Sequence, residues 1–120
     1  MNWLSAADAA RLIRDGAISS EQLVEACLAR VREVDARVQA WAFLDPAHAL
    51  AQARAADEQR KRGTPVGSLH GVPVGIKDIF DTADLPTEDG TVLHAGRTPA
   101  ADATAVMRLR SAGADRKSVV

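Results

Sequence analysis

The chain has 120 residues, 47% of them apolar and 26% charged, with a formal net charge of −1 at pH 7. This is the composition of a globular domain, or part of one, rather than of a disordered segment. It excludes nucleic acid as a partner, for want of a basic footprint, and the membrane, for want of a polybasic patch or of an apolar run of roughly 18 residues that could span a bilayer.

Cys27 is the only cysteine, so no internal disulfide can form. The first residues lack the basic-then-apolar order of a secretory leader, and Asp8 and Asp15 do not suit a transit peptide. The expected location is the cytoplasm. Oligomeric state is not readable from the sequence.

Leu4 to Asp8 reads as a helix start, with Ser5 as N-cap and Asp8 in the first turn, where a carboxylate suits the exposed amides; Gly16 should end this helix. A second helix opens at Ser19, with Gln22 three residues on completing a capping box. Val24, Cys27, Leu28, Val31 and Val34 recur at the spacing of one buried face, and a cysteine in that row belongs to the core. Glu21, Glu25 and Arg32 form the solvated side.

Val38 to Leu44 has no polar residue after Gln39 and reads as a strand covered on both faces, with a buried helical segment as the alternative. Trp41 and Phe43 are expected in the core, since no basic cluster flanks them to make a base-stacking platform. Asp45-Pro46 is a cap followed by proline at the first helical position, and the alanine-rich helix it opens should run to about Arg62 and stop at Gly63. His48 falls in the exposed first turn of that helix, where solvation is expected, and no second ligand stands at helical spacing.

The stretch with most chemical information is Gly67 to Gly90. Within it Val72 to Ile76 is a short, mostly β-branched run that fits one buried strand, with Pro73 at its start and Gly71 and Gly75 permitting close approach. Lys77 follows, where the strand emerges. An ammonium beside an apolar strand must reach water, find a partner, or lose its proton, because desolvating the charge costs several kcal/mol. Two readings of Lys77 stand at this point: it snorkels or pairs with Asp78 or Asp81, or burial favours its neutral amine so that it can take a proton from a nucleophile.

Asp78, Asp81, Asp84, Glu88 and Asp89 are then interspersed with Thr82, Pro86, Thr87, Gly90 and Thr91, a turn-rich loop. Their spacing lacks the ligand pattern and central glycine of a calcium loop, so no metal site is expected. Asp102 is expected to cap a last helix, Ala103 to Ala112, with Val106, Met107 and Leu109 on its buried side and Gly113 after it.

The run HGVPVGIKDIFDTADLPTEDGT, followed by HAGRTPAADATAVMRLRSAGA, resembles the N-terminal part of the amidase signature family, and the likeness extends from about Leu4 to Ala114. The resemblance implies an α/β fold, a mixed sheet flanked by helices and incomplete here. It implies hydrolysis of a small-molecule carboxylic amide through a serine–cis-serine–lysine triad, with no cofactor. The family's lysine lies in this core, so the catalytic role carries to Lys77. Its two serines lie further along the chain, and none of Ser5, Ser19, Ser20, Ser68, Ser111 or Ser118 sits in a setting that exposes a nucleophile on a tight turn.

Residues 1–120 alone are therefore expected to be inactive, a non-enzymatic remnant if nothing completes them. The tRNA-dependent amidotransferases of the same family typically carry asparagine after Lys-Asp in their A subunits; Ile79 stands there in this chain and favours a free-standing amidase. After Ala114 the family continues with an apolar strand, whereas this chain has Asp-Arg-Lys-Ser-Val-Val. Residues 1–114 are thus expected to be native and 115–120 a non-native tail. GAT CGG AAG AGC GTC GTG would encode that tail and matches a common short-read sequencing adapter, a frameshift being the rival origin.

Overall fold

A computed structural model describes residues 1–119, with the backbone alone described for 115–119. The elements in chain order are α1 (Ala6–Arg14), α2 (Ser20–Val38), β1 (Phe43–Leu44), α3 (Pro46–Lys61), β2 (Pro73–Ile76), a short 3-10 turn at Val92–His94, α4 (Thr104–Ser111) and β3 (Asp115–Val119). The sheet is mixed, in the order β1-β3-β2, with β3 antiparallel to β1 and parallel to β2. An α/β fold with a small mixed sheet is therefore what the sequence encodes.

Both expected caps close the first two helices. Ser5 accepts from the Asp8 amide at 3.1 Å, and Ser19 and Gln22 form the reciprocal capping box, at 2.9 Å in each direction. The start of α2 has a second capper. Asp57, buried on α3, accepts from the Ser20 amide at 2.8 Å and the Glu21 amide at 3.0 Å. With Gln22 N–H on Ser19 Oγ and Leu23 N–H on Ser19 O, every amide of the first turn has an acceptor. This cross-helix carboxylate joins α3 to α2 where the sequence showed only another charge on an alanine-rich helix.

The apolar core follows the helix faces. Ala9, Ala10 and Ile13 of α1 pack with Leu23 and Val72, and Val24 and Leu28 of α2 pack with Ala49 and Ala53 of α3. Cys27 is half-buried against the first group. From this core β2 is positioned by close backbone approaches. The Ser20 hydroxyl donates to Gly71 O at 2.6 Å, and a Cβ on Gly71, whose φ is +71°, would lie 2.9 Å from Ser20 Cβ. Leu69 and Gly71 amides donate to the carbonyls of Ala112 and Gly113 at the end of α4, at 2.8 and 3.0 Å. The segment entering β2 is thus pinned between α2 and α4.

Four expectations are corrected. Val38 to Leu44 is not one strand: Val38 ends α2, Gln39 closes it in the left-handed region at φ 52°, and only Phe43–Leu44 pairs. The run contains neither Gly nor Pro to stop a helix, and Asp35 takes the Ala40 amide on its carboxylate, so the helix ends through a side chain upstream of the run. Asp102 does not cap α4; Ala103 holds that position without a side-chain bond. The Asp102 carboxylate instead takes the Ala83 amide at 2.8 Å and the Arg110 guanidinium at 2.6 Å, tying the loop before α4 to its far end. Met107 is exposed, while Val106 is fully buried.

The fourth correction concerns the segment after Ala114, for which the sequence pattern predicts no strand. Its backbone forms β3, with Pro73 opposite Asp115 and Phe43 opposite Val119. A ladder is made by main-chain groups, and β1 and β2 offer donors and acceptors on both sides whatever side chains the inserted segment carries.

Candidate active site

Lys77 is the first residue after β2, at the strand's C-terminal end. Its carbonyl accepts from the amides of Ile79 at 2.7 Å and Phe80 at 3.0 Å, so the chain turns sharply as it leaves the sheet. The Lys77 side chain is exposed among the described residues. Among the described residues it does not make the alternative ion pairs either, and both neighbouring carboxylates are engaged elsewhere.

Asp78 accepts from the amides of Glu88 at 2.8 Å and Gly90 at 3.3 Å, and its carbonyl accepts from Asp89 N–H at 3.0 Å. Asp81 makes a two-point pair with Arg97, at 2.8 and 3.0 Å. That guanidinium holds the Asp81 carboxyl below the usual carboxylate range, chiefly by hydrogen bonding. The Arg97 pKa is raised in return, by the same hydrogen bonds first. Among the described residues no hydrogen bond or ion pair reaches Lys77 Nζ from Asp78 or Asp81, and none from a serine hydroxyl.

The other carboxylates of the loop are likewise occupied. Asp84 faces His48 Nε2 at 3.5 Å and Arg110 at 3.4 Å. Glu88 accepts from the Gly96 amide at 2.7 Å, and Asp89 pairs with His94 at 2.7 Å. His48 is therefore not simply solvated: it is half-buried, bonded to Gln52 and turned towards Asp84. Among the described residues no group of three or more His, Cys, Asp or Glu side chains stands together as a metal site.

Beneath the carboxylates lie two buried threonines. Thr82 donates to Leu85 O at 3.1 Å and lies 3.3 Å from the Thr87 hydroxyl, which donates to Phe80 O at 3.4 Å, while the backbones of Thr87 and Arg97 meet at 2.9 Å. The loop after Lys77 is thus a hydrogen-bonded unit, presenting Lys77, Ile79 and Phe80 outward.

The serines divide as expected, with one addition. Ser5 and Ser19 are caps, and Ser20, besides lying in α2, tethers Gly71. The side chain of Ser118, and the question of whether residues 115–120 are native, lie outside the described side chains. Among the described residues no helix is long and apolar enough to cross a membrane.

A family model described as amidase matches residues 22–115. AmiD of Mycobacterium tuberculosis is 45% identical over 111 residues, covering 92% of this chain and 23% of that protein. The A subunit of the glutamyl-tRNA(Gln) amidotransferase of Streptomyces coelicolor is 46% identical over 109 residues, covering 91% and 22%. Among solved structures, the native peptide amidase of Stenotrophomonas maltophilia superposes with a TM-score of 0.89 at 33% identity, covering 98% of this chain and 24% of that one. The chain spans about a quarter of the length of these relatives. With its HGVPVGIKD core carried on β2 and its matched segment running from α2 to the start of β3, the chain belongs to the amidase signature family.

Proposed function

We propose that this chain is the lysine-bearing portion of an enzyme that hydrolyses carboxylic amides, with Lys77 as the general base. The observation that carries the reading is the placement of Lys77: at the C-terminal end of a parallel strand, inside the matched family segment, with Asp78 and Asp81 both committed to other partners and so not neutralising it. A lysine for which the described residues show no ion pair is free to be covered by the remainder of an amidase domain, where a desolvated amine can hold its neutral form.

In that setting Lys77 accepts the proton of one serine hydroxyl, which relays the proton from the nucleophilic serine as its oxygen adds to the amide carbonyl. The amine leaves with a proton returned through the same relay, and water then hydrolyses the acyl-enzyme. Lys77 is one member of three in this scheme. The lone Cys27 suits a reducing compartment, and the cytoplasm is the proposed setting.

The tRNA-dependent amidotransferase is the second reading, favoured by the Streptomyces relative at nearly the same identity as AmiD. Ile79 directly after Lys77-Asp78 supports the free-standing amidase instead. The test uses the full-length enzyme carrying residues 1–114 and a simple aryl amide. Turnover without tRNA, lost in Lys77→Ala and absent from residues 1–120 alone, is the expected result. Activity that requires a charged tRNA would transfer the assignment to the amidotransferase, and Lys77-dependent turnover by the 120-residue chain alone would contradict the three-residue scheme.

A further inference from the structure

Asp78, the residue next to Lys77, is held at three points. Its two carboxylate oxygens take the amides of Glu88 and Gly90, and its backbone carbonyl takes the amide between them, that of Asp89. Asp89 and Gly90 both have positive φ, 55° and 65°, which turns successive N–H groups towards one side and makes a small concavity suited to an anion. In this protein the anion is the side chain of the residue next to Lys77.

The cradle is itself braced. Glu88 holds the Gly96 amide, Asp89 holds His94, and Thr91 N–H donates to Glu88 O at 3.0 Å. Lys77 is therefore fixed on one side by β2 and on the other by a residue bound at three points to a rigid turn.

We propose that Asp78 is a positioning residue for Lys77, acting through the 88–90 amide cradle and not through its charge. The inference rests on the reading of Lys77 as the base. A base at the end of a flexible four-carbon stem must be held to about 0.5 Å to serve a proton relay, and a misplacement of about 1 Å can cost on the order of a hundredfold in rate. Freeing residue 78 from the cradle releases the backbone directly beside Lys77, whereas an uncharged side chain that keeps the 2.8 Å bond to Glu88 N–H should leave it in place.

The experiment compares Asp78→Ala, Asp78→Asn and Lys77→Arg in the full-length enzyme, measuring kcat, KM, the pH–rate profile and the melting temperature. Asp78→Ala is expected to lower kcat about ten- to a hundredfold with KM changed by less than about threefold. Asp78→Asn, which keeps the oxygen that accepts from Glu88 N–H and gives up only the longer 3.3 Å bond from Gly90 N–H, is expected within about fivefold of the parent with the alkaline and acid limbs unmoved.

An asparagine variant as impaired as the alanine one would show that the retained bond to Glu88 N–H does not hold Lys77 in place, and would overturn the proposal. So would an alanine variant with parental kcat, or one whose kcat, KM and melting fail together. If the alanine variant does not fold, the asparagine variant decides: near-parental kcat supports the proposal and a large loss overturns it. Near-parental turnover by Lys77→Arg would remove the underlying reading of Lys77, whereas its failure alongside an unaffected Asp78→Ala would sink the positioning role alone.

Discussion

Removal of Asp57 should be among the most damaging single changes outside the apolar core. Asp57 is 6% exposed and Ser20 fully buried, so Asp57→Ala leaves the Ser20 and Glu21 amides at the start of α2 without their acceptor, and Ser20 N–H away from water. A hydrogen bond to a charged group contributes about 1.5–3 kcal/mol, and these two share one carboxylate, so a combined loss of about 3–4 kcal/mol is expected. The same helix end supplies an internal control. Ser19 caps it from a half-buried position, and such a cap is worth about 1 kcal/mol.

For a domain of this size each kcal/mol moves the midpoint by roughly 3–5 °C. Far-ultraviolet circular dichroism melts at pH 7 should therefore show Ser19→Ala falling by about 4 °C and Asp57→Ala by about 10–20 °C, with Asp57→Asn between them because one acceptor oxygen remains. Equal shifts for Ser19→Ala and Asp57→Ala would refute the assignment of Asp57 as the principal cap.

Gly67→Ala should cost about 2–3 kcal/mol, because the added Cβ would lie 2.2 Å from Ala112 O and a backbone must move. Gly63→Ala, with open space around it but φ +71°, should cost only about 1–2 kcal/mol, and urea unfolding midpoints that reverse this order would contradict the close approach. The Arg97–Asp81 pair gives the loop a pH dependence of defined sign. Because Asp81's folded pKa is depressed, its contribution is present above the unfolded value of about 3.9 and is lost as pH falls below that towards the folded value. Hydrogen exchange at the Thr87 and Ala103 amides, corrected for intrinsic rates, should accelerate on going below about pH 4 in the parent and less so in Arg97→Gln, and an identical response in both would remove the pair from the account. The coding triplets for Asp115 to Val120 are expected to read GAT CGG AAG AGC GTC GTG followed by TAG, and any other set would rule out the adapter origin and leave a frameshift.

What could be read from the sequence was local or carried by a motif. The Ser19–Gln22 box, the Asp45-Pro46 start and the β2 strand ending at Ile76, just before Lys77, are each set by residues adjacent in the chain, and each stands where the pattern put it. What could not be read depends on residues far apart. Asp57 reaches back 37 positions to Ser20, Arg97 reaches 16 to Asp81, and Asp102 takes an amide 19 positions away. Carboxylates that are only charges in a sequence become caps and braces once folding brings amides and guanidinium groups to them.

The Val38–Leu44 run failed for a different reason. A short apolar segment fits a helix end as well as a strand; here the helix end at Val38 is exposed, and the decision fell to a polar residue upstream, Asp35. The candidate site was legible as one residue, Lys77; the rigidity of the loop beside it was not, because it comes from cross-loop bonds that no spacing rule encodes.

The central claim is that Lys77 must lend a lone pair, and Lys77→Arg in the full-length enzyme addresses it most directly. Arginine keeps the positive charge and roughly the reach but is effectively never deprotonated, so it can replace lysine in an ion pair and cannot replace it as a base. With a melting temperature near the parent's, which controls for a guanidinium that does not fit, turnover of an aryl amide should fall by about two orders of magnitude or more, nearly as far as in Lys77→Ala. A Lys77→Arg enzyme that folds normally and retains near-parental turnover would contradict the account and leave Lys77 as a structural cation.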